Sequence, residues 1–285
     1  MKKLITFLLI LSFPICLHAA EKIRVFVGIP PLAYLAEEIG GDRVQCQVLL
    51  QPGESPHTFE PTPRQMIDLS RADYYFELGF PFESQITRKL GDGSGPEIID
   101  ITEGAKIRYM HSHHSDLGEP GNSEHNDPHV WLSPENIAAM ARNMTDAFKK
   151  QNPADSNFYE HKLKNFLNDL DSIDQIIDSI LEPYKGDSIM VFHPAFGYFT
   201  ESYGLKQFAV ETEGKSPGPK QIESIINEAR KNNIRVIFVQ PQFDPKSAQS
   251  IARAIEGGVV AIDPLERNLL ANLLDIAHKI KDALK

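Results

Sequence analysis

Two hydrophobic periods alternate along the chain. Short runs rich in β-branched and aromatic residues, bounded by Gly, Pro or Asp, fall at 23 to 29 (IRVFVGI), 44 to 50 (VQCQVLL), 74 to 79 (YYFELG) and 97 to 101 (EIIDI), and they predict strands. Helical spacing lies between them at 31 to 40 and 63 to 71. The second half repeats the scheme, with strands predicted at 188 to 192, 206 to 210, 235 to 240 and 258 to 262. Helical stretches at 194 to 203, 219 to 232 and 245 to 256 separate them, and an amphipathic helix at 266 to 284 ends the chain. The pattern predicts an α/β protein of two lobes, each with a four-stranded, mostly parallel sheet flanked by helices.

A different pattern joins the halves. From Asn152-Pro153, a cap and first-turn pair, to Pro183 the apolar positions Phe158, Leu163, Phe166, Leu167, Leu170, Ile173, Ile176, Ile177 and Ile180 keep helical spacing without a break. About thirty residues at 1.5 Å each would span roughly 45 Å, the side of a two-lobed molecule. The alternative is a pair of helices broken near Asp171. The boundaries that follow are a first lobe over 21–151, a connecting helix over 152–184 and a second lobe over 185–285. Residues 111–127 (HSHHSDLGEPGNSEHND) hold four His among acidic, Ser, Asn and Gly residues with no apolar run, and are expected to form a solvated loop.

Residues 1–20 stand outside this pattern. Lys2 and Lys3 precede an apolar stretch over 4–16 that is too short to span a bilayer comfortably, and Leu17-His18-Ala19-Ala20 resembles a processing site, so 1–20 reads as a signal peptide cleaved near Ala20. A lipid anchor on Cys16 is not expected, because Ile15 before it is bulkier than such sites carry. With Cys16 removed only Cys46 is left, which excludes an internal disulfide and a thiolate zinc knuckle. The balance of 39 acidic against 29 basic side chains, with no basic stripe, argues against nucleic acid as a partner.

The histidines separate by context. His57 follows the second strand in a Pro- and Gly-rich turn, Gln51 to Pro63. His129 lies in Asp127-Pro128-His129-Val130-Trp131-Leu132-Ser133-Pro134, where Ser133 can cap a helix that Pro134 starts. His193 ends the strand 188 to 192, and Asp263 closes the strand 258 to 262. Open α/β sheets bind ligands beyond the carboxyl ends of their strands, where His57, His193 and Asp263 fall. Three imidazoles and a carboxylate, held still by Pro and aromatic neighbours, suit a tetrahedral N₃O site. Zn²⁺ fits that donor set better than Mn²⁺ or Fe²⁺, which take more oxygen. Asp263 before Pro264 is also a good helix cap, and Glu213 or Glu60 could instead supply the fourth ligand or support a ligand imidazole. Trp131 and Phe196 either wall the site or pack the core. His161 and His278, on amphipathic helices, are expected to be ordinary surface residues.

At these motifs the chain resembles the zinc- and manganese-binding family of ABC-transporter solute-binding proteins. The matching pieces are the Gly53-x-x-Pro56-His57 turn with Phe59-Glu60-Pro61-Thr62, the Asp127 to Pro134 stretch, His193-Pro194-Ala195-Phe196-Gly197-Tyr198-Phe199, Glu213-Gly214-Lys215-Ser216-Pro217 and Asp263-Pro264-Leu265, in family order across the chain. The resemblance implies His57, His129 and His193 as metal ligands with Asp263 as the fourth, and two rigid lobes with the ion between them. His111, His113, His114 and His125 fall where zinc members carry a His-rich loop, short here, that could collect ions. The expected function is a periplasmic, monomeric receptor that passes Zn²⁺ to a membrane permease, with Mn²⁺ or Fe²⁺ as alternative cargo. A secreted zinc hydrolase is the enzyme alternative, although no H-E-x-x-H pair is present. An adhesin or metal buffer is a further one. With ordinary imidazoles, metal affinity should fall below about pH 6.5.

Overall fold

A computed structural model describes residues 21–90, 95–110, 125–211 and 217–285. The first half runs β1 (Ile23–Val27), α1 (Pro30–Gly40), β2 (Val44–Val48), α2 (Pro63–Leu69), β3 (Tyr74–Glu77), α3 (Pro81–Leu90) and β4 (Glu97–Asp100). The four strands form one parallel sheet in the order β2-β1-β3-β4. α1 begins on Pro30-Pro31, whose fixed φ suits a first turn. α2 begins on Pro63 behind a capping box, in which the Thr62 side chain accepts from Gln65 N and the Gln65 side chain reaches back to Thr62 N.

Helix α3 is absent from the sequence-based pattern. Its apolar positions Phe82, Ile86 and Leu90 recur only every fourth residue among polar ones, a single narrow stripe, and its first turn carries the buried Glu83. That carboxylate takes the N–H groups of Leu78, Gly79 and Phe80 at 3.0, 2.8 and 2.7 Å and the Tyr75 hydroxyl at 3.0 Å, which fixes the turn between β3 and α3. Burial pushes its pKa up to about 7 against these hydrogen bonds.

A short antiparallel pair, β5 (Tyr109–Met110) with β6 (His125–Asn126), precedes the helical middle of the chain, α4 (Pro134–Gln151) and α5 (Ser156–Leu181). α5 has 26 residues and no break at Asp171, about 39 Å of straight helix with 3-10 turns at Pro153–Asp155 and Glu182–Tyr184 extending it. Its buried residues Tyr159, Phe166, Leu170, Ile177 and Leu181 make one seam that packs on α4 and α1.

The second half runs β7 (Ser188–Val191), α6 (Gly197–Ser202), β8 (Lys206–Ala209), α7 (Pro219–Lys231), β9 (Val236–Val239), α8 (Lys246–Ala254), β10 (Gly258–Ala261) and α9 (Leu269–Leu284), with a parallel sheet ordered β10-β9-β7-β8. Both four-stranded sheets are wholly parallel, and in each the first strand is central, so the order reverses beside β1 and beside β7. α9 turns back across the molecule onto α5 and α1. A single apolar core therefore runs from the first sheet through α1, α4, α5 and α9 to one face of the second sheet, which presents Ile189, Val191 and Phe238. The opposite face, with Met190, Ile237 and Val239, makes a smaller core with Ala229 of α7 and Ala248, Ile251 and Ala252 of α8. Cys46 is half-buried, and burial pushes its thiol up to about 12, so it behaves as a small hydrophobe.

Candidate metal centre

Three loops converge from the carboxyl ends of strands. His57 stands in the turn after β2, its N–H donating to Ser55 Oγ at 3.3 Å while Phe59 packs edge-on against Phe82. His129 precedes a 3-10 turn (Val130–Leu132) and α4, whose first turn Ser133 caps through Asn136 N. His193 follows β7 at the point where the strand order reverses. Gln240, just past β9, locks it there by accepting from His193 N at 3.1 Å and donating to His193 O at 2.7 Å.

The three Nε2 atoms point at one another. His57 Nε2 lies 3.0 Å from His193 Nε2, which lies 3.3 Å from His129 Nε2, and the three possible ligand atoms all fall within 4.8 Å. A tetrahedral ion with nitrogen bonds of about 2.0–2.1 Å sets its ligand nitrogens about 3.3 Å apart, so these spacings need little adjustment. The opposite ring nitrogens of two imidazoles are held by buried carboxylates: His129 Nδ1 donates to Asp127 Oδ1 at 2.7 Å and His193 Nδ1 to Glu211 Oε1 at 2.5 Å. A carboxylate only accepts, so Nδ1 carries the proton and the Nε2 lone pair faces the centre.

The electrostatics follow. His57 keeps an exposed outer side, yet burial of its ring first, and then the neighbouring His193 and His129, lower its pKa to about 3. Burial also lowers His193, against the pull of Glu211. Burial alone would raise Asp127, but the hydrogen bonds from His129 and the nearby Arg108 hold it below the usual carboxylate range. Protons thus compete for His57 and His193 below the ordinary imidazole range. A cavity of about 20 Å³, room for one ion or water, opens on the cluster beside Trp131, Gln242, Phe243, Pro264 and Leu265. Phe243 stacks on His193 at 5.1 Å, and Trp131 lies 5.4 Å from His129 while donating its Nε1–H across to Pro264 O at 2.8 Å.

His57, His129 and His193 are thus brought together. Asp263 is not, among the described residues: its Oδ1 accepts from Leu265 N at 2.9 Å and Gln242 Nε2 at 3.0 Å, closing its own turn as an Asp before Pro commonly does. Glu60 is exposed and away from the cavity lining. Glu213 lies outside the described residues, as do His111, His113 and His114, and of His125 only the backbone, paired with Met110, is described. His161 and His278 are exposed on α5 and α9. Trp131 lines the cavity, whereas Phe196 packs in the core. Sequence reasoning missed Asp127 by placing it in the solvated loop, although Asp two residues before a candidate ligand His was the available signal. Glu211, which holds His193 Nδ1, was not among the carboxylates weighed for such support, Glu213 and Glu60.

A two-lobed α/β fold braced by one long helix, with imidazole lone pairs converging between the lobes, makes a protein built to hold a metal ion. Residues 25–283 match the family described as "ZnuA: Zinc-uptake complex component A periplasmic", and the chain belongs to that family. It is 26% identical over 282 residues to the high-affinity zinc uptake system protein ZnuA of Bacillus subtilis, covering 93% of this chain and 87% of that one. To the manganese ABC transporter substrate-binding lipoprotein PsaA of Streptococcus mitis it is 25% identical over 247 residues, covering 82% and 77%. A crystal structure of ZnuA superimposes with a TM-score of 0.86 at 33% identity, covering 93% of this chain and all of the other. The chain is accordingly a solute-binding protein of a metal ABC importer.

Proposed function

We propose that the protein is exported, captures one Zn²⁺ at His57, His129 and His193, and hands it to the importer's permease. The observation that carries this reading is the pair of carboxylate-anchored imidazoles whose free nitrogens meet His57 at the spacing of a tetrahedral edge. An all-nitrogen face favours zinc over manganese, which prefers oxygen donors. Asp263 is proposed as the fourth ligand: its turn adjoins the cavity through Pro264 and Leu265, and its two hydrogen bonds, from Gln242 and Leu265 N, both fall on Oδ1. The loop histidines His111, His113, His114 and His125 are proposed as a weak collecting site, and Glu213 and Glu60 are set aside in favour of Glu211 as the support of His193. The protein is proposed to act as a monomer without nucleic acid.

Calorimetric titration of the metal-free protein with Zn²⁺ and with Mn²⁺ tests these points together. One tight zinc site that survives deletion of residues 111–124, is lost in His57→Ala and weakens in Asp263→Ala supports the assignment. Tighter binding of Mn²⁺ than Zn²⁺ overturns the choice of metal, and undiminished zinc binding by His57→Ala overturns the site.

A further inference from the structure

The carboxylate behind His129 has a support of its own. Arg108 stands just before β5 and Asp127 just after β6, so the base of that hairpin brings them together, with Asp127 N donating to Arg108 O at 2.8 Å. Arg108 Nη1 donates to Asp127 Oδ2 at 2.8 Å, leaving Oδ1 for the backbone N–H and ring Nδ1–H of His129 at 3.0 and 2.7 Å. The second lobe clasps this pair through α6. Tyr198 Oη accepts from Arg108 N at 2.9 Å and donates to Asp127 O at 2.8 Å, its ring lies 5.5 Å from the guanidinium carbon, and a Glu201 carboxylate oxygen is 2.8 Å from Arg108 Nε. Gly197 makes the approach possible, since a Cβ there would stand 1.5 Å from Arg108 Nη1.

We propose that Arg108, clasped by Gly197 and Tyr198 of the opposite lobe, is a positioning residue for metal binding: by fixing one oxygen of Asp127 it aims the other at His129 Nδ1 and so sets the direction of the Nε2 lone pair. A planar guanidinium lying against the Tyr198 ring presents one directed, permanently charged N–H to the carboxylate, which the freely rotating ammonium of a lysine does less well. The inference rests on His129 being a metal ligand.

The test compares wild type with Arg108→Gln, Arg108→Lys and Gly197→Ala, reading zinc affinity by competition with a chromogenic chelator and, separately on the metal-free proteins, the His129 ring tautomer by nitrogen-15 NMR. Loss of such support behind a ligand weakens metal binding by about 10-fold or more. Arg108→Gln is therefore expected to bind one zinc about tenfold more weakly and to show His129 as a mixture of tautomers. Arg108→Lys should recover part of both, and Gly197→Ala should reproduce the Gln variant. Circular dichroism confirms that each variant is folded; a variant that is not is read through Arg108→Lys, which keeps the charge. Unchanged affinity and an unchanged Nδ1–H tautomer in Arg108→Gln overturn the inference while the metal site stands. Failure of wild type itself to bind zinc overturns the site, and the tautomer measurement then decides the role of Arg108 without metal.

Discussion

Glu211→Gln offers the sharpest test of how the centre is built. Glu211 is 3% exposed and its Oε1 lies 2.5 Å from His193 Nδ1, a charge-assisted hydrogen bond that selects the Nδ1–H tautomer. Glutamine keeps the volume and removes the charge. With its oxygen toward the ring it leaves a weaker neutral bond; with its NH₂ group toward the ring it favours the Nε2–H tautomer, which has no lone pair to offer the ion. Changes of this kind behind a ligand cost about 10–100-fold in affinity, or about 1.4–2.8 kcal/mol. At a fixed zinc excess that difference removes about 3–5 °C of the metal-dependent gain in Tm for a chain of this length. Chelator competition and thermal unfolding with and without zinc both read it, and metal-free Glu211→Gln should melt closer to wild type than the zinc-loaded pair do. If Glu211→Gln binds zinc as wild type does and gains as much on loading, the carboxylate does not orient His193 and the tautomer argument fails.

Three other outcomes follow from the geometry. His57 and His193 are lowered in the fold, so from about pH 6.5 down toward 3 the unfolded chain takes up protons that the folded one refuses, and stability falls through that window. Metal-free wild type should therefore lose Tm relative to His57→Gln as pH drops from 7 to 4; a pH-independent difference would contradict the depressed value. Trp131→Phe removes the donor to Pro264 O between the lobes and should lower unfolding stability by about 1–2 kcal/mol in denaturant titrations, whereas no loss would mean that the contact is incidental. Glu83→Ala strips the acceptor from three N–H groups of the β3–α3 turn and should cost about 2–4 kcal/mol, with under 1 kcal/mol ruling out that role.

Much of this was legible in the sequence because it is local. The eight strands of the two parallel sheets are mostly short runs of β-branched and aromatic residues between Gly, Pro and Asp, and the 26-residue helix announces itself by an unbroken seam from Phe158 to Ile180. His57 and His193 stood out as histidines at strand ends. What was hidden depends on tertiary burial. Asp127 sits among Ser, Asn and Glu and looks solvated, yet Arg108 and His129 enclose it. Glu211 prolongs β8 beyond Val210 and was overlooked beside the more conspicuous Gly- and Pro-rich residues that follow. Asp263 carries the signature of a ligand and of a turn cap alike, and the structure shows the bonds of the cap, from Gln242 Nε2 and Leu265 N.

The division of the apolar interior has a consequence for how firmly one imidazole of the cluster is held. The larger core ties both sheets to α5 and α9, so wide separation of the lobes would have to open it, whereas the smaller core beneath α7 and α8 is thin and stands apart. Glu211 follows directly on Val210, a member of that smaller core, and reaches across to His193. A partial unfolding confined to this outer layer, of the sort native-state hydrogen exchange detects, would slacken His193 through its carboxylate while His57 and His129 kept their places. The cohesion of a small cluster of side chains on one flank thus bears on how firmly His193 is held.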